Sequence, residues 1–147
     1  MTTINIISGS TLGNAEYVAE TLSEILISEG FDAPLFYGPS LDELPLQGIW
    51  LVICSTYGAG DFPDNIKPLF NELETKAADL SDVSFGAIGL GSTEYDTFCE
   101  AIKQAERILK ENGAKLLGDR LDIDVTKHEI PEDVAIIWLQ DWLKVIK

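Results

Sequence analysis

Short apolar runs alternate with helical stripes along the whole chain. The runs Ile4–Ser8, Ile49–Cys54 and Ser84–Leu90 are nearly all apolar, as is typical of strands buried on both faces of a sheet. Ile49–Cys54 is the most hydrophobic of them and predicts the central strand. Asp32–Tyr37 is a fourth candidate. Leu116–Val125 is the fifth, and the acidic and apolar residues that alternate in its later part favour a half-exposed edge strand.

Between these runs, apolar residues recur every three or four positions, which is the period of an amphipathic helix. The predicted helices are Asn14–Ser28, a segment from Asp61 or Asp64 to about Lys76, Asp96–Asn112, and Val134–Val145 after a start at Pro131. Gly30 and Gly113 stop two of them, and the prolines within Gly38–Pro45 predict a loop. The alternation of strand and helix predicts a parallel α/β sheet with helices on both faces. It fits one domain that covers residues 1–147.

A loop of small residues follows each of three strands, at Ser8–Gly13, Ser55–Asp61 and Gly89–Tyr95. In a parallel sheet all three leave the same edge, where open α/β folds bind their ligands. The first loop leads directly into a helix, whose N–H groups and dipole favour an anion, most commonly a phosphate. Its hydroxyl and amide side chains, with no lysine among them, suit a phosphate monoester; they are Ser8, Ser10, Thr11 and Asn14. The alternative is that this loop is only the turn that every α/β protein needs.

The second and third loops each carry one tyrosine among small residues, Tyr57 and Tyr95. Glycines let the backbone approach a flat ligand, and the two rings would stack on its faces. A phosphate at one end and an aromatic pair at the other describe flavin mononucleotide (FMN). The alternative is that both tyrosines are ordinary loop residues.

The chain has 25 acidic and 10 basic residues, a net charge of −15. Such a surface repels nucleic acid and anionic membranes and favours basic protein partners; the alternative is that it serves only solubility. Cys54 and Cys99 fit neither a disulfide framework nor a metal motif, and favour a reducing cytosol. Neither a signal peptide nor a long apolar run is apparent, so a cytoplasmic location is expected.

Three motifs give the sequence a specific resemblance. Ser10-Thr-Leu-Gly-Asn-Ala15 resembles the phosphate loop of short-chain flavodoxins. Thr56-Tyr-Gly-Ala-Gly-Asp61 and Gly89-Leu-Gly-Ser-Thr-Glu-Tyr95 resemble the two loops that enclose their flavin ring. The resemblance covers the whole chain and is greatest to MioC-type flavodoxins. Leu12 departs from the pattern, because most members have a hydroxyl residue there. Leu116–Val125 lacks the long insertion that interrupts the fifth strand of long-chain members.

The resemblance implies a five-stranded sheet of order 2-1-3-4-5, and flavodoxins are themselves the standard example of FMN bound where the strand order reverses. It also implies an electron carrier rather than an enzyme, with FMN as the redox group. An NADPH-dependent flavodoxin reductase is the expected donor, and biotin synthase is one expected acceptor. The FMN-binding residues predicted from the motifs and their flanks are Ser8, Ser10, Thr11, Leu12, Gly13, Asn14, Ala15, Ser55, Thr56, Tyr57, Gly58, Ala59, Gly60, Gly89, Leu90, Gly91, Ser92, Tyr95, Asp96, Phe98 and Cys99.

Two alternative functions are compatible with the same architecture. An enzyme that uses FMN to reduce a small molecule with NAD(P)H needs a basic site for the dinucleotide phosphate, and the three loops contain no basic residue. A flavin-free receiver-type module needs clustered aspartates and a lysine at the strand ends. This chain has glycine and tyrosine there instead, with Asp61 as the main acid.

The remaining polar and aromatic residues suggest no catalytic set. His128 is the only histidine and is expected on the surface, while Cys99 is expected to be a packed thiol. Asp122 and Asp124 lie two positions apart on a strand and are expected to share one solvated face. The tryptophans are expected to pack in the core or between helices; they are Trp50, Trp138 and Trp142.

Overall fold

The computed structural model describes residues 2–10, 13–56, 61–76, 78–92, 99–128 and 130–146. Within these ranges, six strands form one sheet: β1 (Ile4–Gly9), β2 (Leu35–Tyr37), β3 (Gly48–Ser55), β4 (Val83–Gly91), β5 (Lys115–Leu116) and β6 (Leu121–Asp124). All pairings between them are parallel. The order is β2-β1-β3-β4-β5, and β6 also pairs with β4. The predicted parallel α/β fold and its strand order are confirmed, and β3 is the central strand as predicted.

Helices cover both faces of this sheet. They are α1 (Asn14–Ser28), α2 (Lys67–Lys76), α3 (Glu100–Glu111) and α4 (Pro131–Ile146), with a short 3-10 helix at Leu41–Glu43. The first and fourth pack on one face around Trp142, and the second and third pack on the other around Trp50 and Phe85. No helix of the described ranges is long and apolar enough to cross a membrane.

Two glycines fix the ends of α1 where the sequence predicts them. Gly13 caps its start with φ 86°, and Gly30 follows its end with φ 94°. Both are left-handed conformations that glycine adopts without the steric cost of a Cβ. The predicted start of α3 at Asp96 lies outside the described residues. Its described part begins at Glu100, directly after Cys99, whose φ of 52° is also left-handed.

The prediction of one unbroken strand over Leu116–Val125 is wrong. Leu117 still donates from its N–H to the carbonyl of Phe85, but its own carbonyl accepts from the indole of Trp142. Gly118 then turns the chain with φ 69° against the same indole ring. The fifth strand is therefore divided into β5 and β6 by a contact with a distant helix. Only four residues separate the two pieces, so the break is not a long insertion.

Three other predicted bounds also shift. β2 spans only Leu35–Tyr37, while Asp32 makes a single bridge to Thr3. α2 begins at Lys67, because residues 64–66 form a turn closed on the carbonyl of Pro63. The loop predicted over residues 38–45 contains the 3-10 helix, whose start is closed by a reciprocal capping box between Ser40 and Glu43.

The expectation that Asp122 and Asp124 form one solvated face is also wrong. Asp124 is buried and accepts from both the N–H and the hydroxyl of Thr126. Asp122 is half-buried and is paired with Arg120 at 2.9 Å. His128 is exposed, as expected. Trp138 is half-buried, stacks on Trp142 and donates to the carbonyl of Asp119.

Candidate functional site

The strand ends that precede the three predicted loops meet at one edge of the sheet. Gly9 at the end of β1 lies opposite Cys54, and Ser55 at the end of β3 lies opposite Leu90. The stems of the loops therefore leave side by side, as predicted. The structure does not describe Thr11, Leu12, Tyr57, Gly58, Ala59, Gly60, Tyr95, Asp96 or Phe98. The proposed stacking of the two tyrosines is consequently untested.

The first loop places the start of α1 at this edge. Its cap residue is Gly13, so no side chain caps the helix from that position, and the first N–H groups of the helix point toward the loop. The N–H of Gly13 donates to Oγ of Ser10 at 2.9 Å. Asn14 is exposed and Ala15 is buried. The arrangement presents backbone donors and a positive helix end, which suit an anion.

Ser8 is the clearest sign that this edge accommodates a polar group. Its side chain is fully buried at the end of β1, and its Oγ has no hydrogen-bond partner among the described residues. An unpaired buried hydroxyl costs about 1–3 kcal/mol, so a buried group of this kind needs an explanation. The carbonyl of Ser8 is already used, since it accepts from the N–H of Gly38.

Glu16 is a site residue that the sequence argument missed. One oxygen of its carboxylate accepts from the hydroxyl of Ser10, and the other accepts from Nδ2 of Asn65 at 3.3 Å. The available signal was an acidic residue in the first turn of α1, where a carboxylate interacts favourably with the helix dipole. The contact to Asn65, which is 49 positions away, has no local signal.

The stem of the second loop is tied to α3. Ser55 and Thr56 are half-buried. The N–H of Thr56 donates to the carbonyl of Leu90 at 3.1 Å, and its Oγ1 accepts from the N–H of Ala101 at 3.2 Å. This hydroxyl therefore caps the first turn of α3 from a neighbouring strand. Nearby Cys54 is fully buried, and burial raises the pKa of its thiol well above the usual range.

At both glycines of the third loop, another part of the protein packs directly against the backbone. A Cβ on Gly89 would overlap Cγ2 of Ile102, and a Cβ on Gly91 would lie 2.8 Å from the N of Cys99. Leu90 is buried on the opposite face, and Ser92 is half-buried. Close approach of α3 to β4 thus requires glycine at both positions.

Cys99 is a packed thiol, as expected. It is fully buried, and burial, together with the charge of Asp122, raises the pKa of its thiol to about 12. Its Sγ lies 4.0 Å from the carbonyl of Ile123 on β6. The thiol is therefore packed between β4 and β6.

The segment after the second loop, residues 62–66, packs against the residues that flank the first loop. Ile66 packs against Gly9, where a Cβ would lie 2.5 Å from that of the isoleucine. Its neighbour Asn65 abuts Gly38 through its carbonyl and reaches Glu16 through its amide. Earlier in the segment, Phe62 stacks on α2 with its ring 4.5 Å from that of Phe70. The segment after the second loop therefore contacts the end of β1 and the first turn of α1.

Acidic side chains surround this edge. Asp61 and Asp64 are exposed in the segment that follows the second loop, and Glu16 lies at the first. Across the described ranges, no group of three or more histidine, cysteine, aspartate or glutamate side chains is arranged to hold a metal ion.

Comparison with known proteins gives one consistent result. The family model described as Flavodoxin matches residues 6–138. The chain is 54% identical to Protein MioC of Escherichia coli K12 over 147 residues, which is all of both chains. It is 37% identical to Flavodoxin YqcA of the same organism, over 97% of each chain. Among solved structures, a cysteine mutant of flavodoxin from Pseudomonas aeruginosa superposes with a TM-score of 0.90 at 32% identity, over 99% of this chain and 100% of the other.

Proposed function

We propose that this chain, which belongs to the flavodoxin family, binds FMN at the carboxyl edge of its sheet and carries electrons between protein partners. The observation that carries the proposal is the meeting of three strand ends beside the start of α1. The hydroxyl of Ser8 is buried there and has no hydrogen-bond partner among the described residues. A ligand with a phosphate group and a flat ring fits such an edge. The phosphate requires hydrogen-bond donors, which the start of α1 offers, and the ring requires two loops that lie close together.

The phosphate would be held by neutral donors. The N–H groups of the first turn of α1 and the hydroxyls of Ser8 and Ser10 are the groups of matching chemistry. Hydrogen bonds to a charged group contribute about 1.5–3 kcal/mol each, so several of them replace the lysine that phosphate loops of other families use. Leu12 has no hydroxyl, so one hydrogen bond to the phosphate would be missing at this position. In this proposal main-chain N–H groups supply the hydrogen bond instead.

The ring would be held between the second and third loops. FMN, when bound, supplies the electron-transfer chemistry, and the protein supplies binding, orientation and electrostatics. Thr56 ties the stem of the second loop to α3, and Cys99 packs against β6 at the start of α3. Rigid stems of this kind hold a ring in one orientation and keep water away from it.

The negative charge of the chain would affect both the reduction potential of bound FMN and the choice of protein partners. A net charge of −15 opposes the addition of electrons at this edge, most strongly through Asp61 and Asp64. It also favours basic partner surfaces and speeds encounters with them. We propose an NADPH-dependent flavodoxin reductase as donor, with biotin synthase as the first acceptor to test.

The visible spectrum of the purified protein tests the cofactor. We expect the bands of an oxidised flavin, either as isolated or after addition of FMN, and release of FMN rather than FAD on denaturation. A protein that stays colourless with excess FMN would refute the proposal. Reduction is tested next, with NADPH in the presence and absence of flavodoxin reductase. We expect bleaching only with reductase, and rapid bleaching by NADPH alone would instead indicate an NADPH-dependent enzyme.

A further inference from the structure

The carboxylate of Glu16 accepts hydrogen bonds from the first loop and from the segment that follows the second loop. The hydroxyl of Ser10 donates to one carboxylate oxygen and Nδ2 of Asn65 donates to the other. Ser10 Oγ in turn accepts from the N–H of Gly13. The carboxylate is thus bound into the first turn of α1, among the groups that suit a phosphate.

A serine hydroxyl has one hydrogen to donate. In the described structure that hydrogen is directed to Glu16, so Ser10 cannot donate to a phosphate at the same time. The carboxylate also interacts with the positive end of α1, as an anionic ligand would. Glu16 and a phosphate group therefore compete for one hydroxyl and one helix end.

We propose that Glu16 is an internal competitor that weakens binding of the FMN phosphate and thereby limits how strongly the site prefers FMN over riboflavin. This inference rests on the proposed function, since it concerns the same site. The carboxylate stabilises the free protein by filling the donors of the loop. FMN binds only after Ser10 is released from it, and the negative charge remains close by.

The size of the effect follows from charge separation. Two anions that compete for one hydroxyl are separated by about two hydrogen-bond lengths, roughly 5–6 Å. With a dielectric close to that of water and ordinary salt screening, repulsion of a phosphate dianion weakens binding by about four- to tenfold. Removal of the charge should recover that factor.

The test compares FMN with riboflavin, which lacks the phosphate. Both are titrated into flavin-free wild-type protein and into Glu16→Gln, by quenching of flavin fluorescence in a buffer without phosphate or sulfate. We expect Glu16→Gln to bind FMN about four- to tenfold more tightly and riboflavin with unchanged affinity. We also expect the flavin-free variant to unfold at a lower denaturant concentration, because it loses a favourable charge at the helix start.

Two further variants control the interpretation. Glu24→Gln removes the same charge from an exposed position of α1, two turns further along, and should change FMN affinity much less. Ser10→Ala removes the contested hydroxyl. In that background the gain from Glu16→Gln should shrink, as is found for residues that act on a shared partner.

The outcomes separate the two proposals. Equal or weaker FMN binding by Glu16→Gln, or an equal gain for FMN and riboflavin, would overturn the role of Glu16 and leave FMN binding intact. An equal gain from Glu24→Gln would show that only net charge matters, and would overturn it too. Failure of the wild-type protein to bind FMN would refute the proposed function itself.

Discussion

Gly89→Ala is the substitution that most directly tests how the site is built. A Cβ at this position would overlap Cγ2 of Ile102 and lie 2.8 Å from its Cβ, whereas carbon atoms in contact lie about 3.5–4.0 Å apart. Both residues are enclosed, since Gly89 pairs with Cys54 on one side and with Asp122 on the other, and Ile102 is fully buried. Relief of the overlap therefore requires α3 to move away from β4.

The expected cost is that of an overpacked core. Additional atoms in a well-packed interior cost about 1–3 kcal/mol, which leaves a protein of ordinary stability folded. A shift of α3 also disturbs Thr56 and Cys99, which hold the stems of the second and third loops. We therefore expect both a lower free energy of unfolding and weaker FMN binding from a residue that needs no contact with the ligand.

Urea unfolding, followed by far-ultraviolet circular dichroism and tryptophan fluorescence, measures the first effect. Ile102→Ala alone should cost about 2–5 kcal/mol through the cavity that it leaves. The double variant should be less destabilised than the sum of the single variants, with a coupling of about 0.5–3 kcal/mol, because the smaller side chain makes room for the new methyl group. A loss below about 0.5 kcal/mol for Gly89→Ala, or additive losses in the double variant, would refute the close packing of α3 on β4.

Four shorter predictions concern the same edge. Thr56→Ala should cost about 1 kcal/mol of stability by removing the acceptor for the N–H of Ala101, and Thr56→Ser should retain most of it; urea unfolding distinguishes them. Burial raises the pKa of the Cys54 and Cys99 thiols, so iodoacetamide near pH 8 should label them only in denaturant. Because the unfolded thiols ionise first, stability should fall as pH rises above about 8.5 toward the folded pKa of Cys99; a flat profile would contradict this. Asp61→Asn should raise the reduction potential of bound FMN, by about 20–70 mV if the charge lies about 10 Å from the ring, and an unchanged potentiometric titration would exclude that influence.

Features with a local physical cause could be predicted from the sequence. The apolar runs identified β1, β3 and β4, because a strand buried on both faces needs apolar side chains at successive positions. The bounds of α1 were predicted from its helical stripe of apolar residues and from Gly30, which adopts a conformation that glycine favours. The stems of the loops meet as expected, since parallel strands bring their carboxyl ends to the same edge.

Features caused by distant contacts could not be predicted in this way. The fifth strand divides because Trp142, 25 positions further along, takes the carbonyl of Leu117. Asp124 looked solvated from its alternation with apolar neighbours, yet it is buried beside Thr126. The sequence also gave no sign that Gly89 is enclosed by Ile102, while its predicted contact with a ligand stays a prediction. Trp142 and Ile102 lie outside any helical or strand period of the residues that they affect. Thr126 is only two positions from Asp124, but the alternating pattern gave no sign of the turn that they form.

If the proposed function holds, the distances of the acidic residues from the site decide how so acidic a chain binds a phosphate. Charges that lie more than about 8–10 Å away across solvent are largely screened at physiological salt. Donors within hydrogen-bond distance are not screened, and each contributes about 1.5–3 kcal/mol with a charged acceptor. Most of the net charge of −15 would therefore have little effect on a phosphate bound at this edge. Glu16 differs because it accepts the hydroxyl hydrogen of Ser10, so ordinary salt would screen its charge from a bound phosphate only in part.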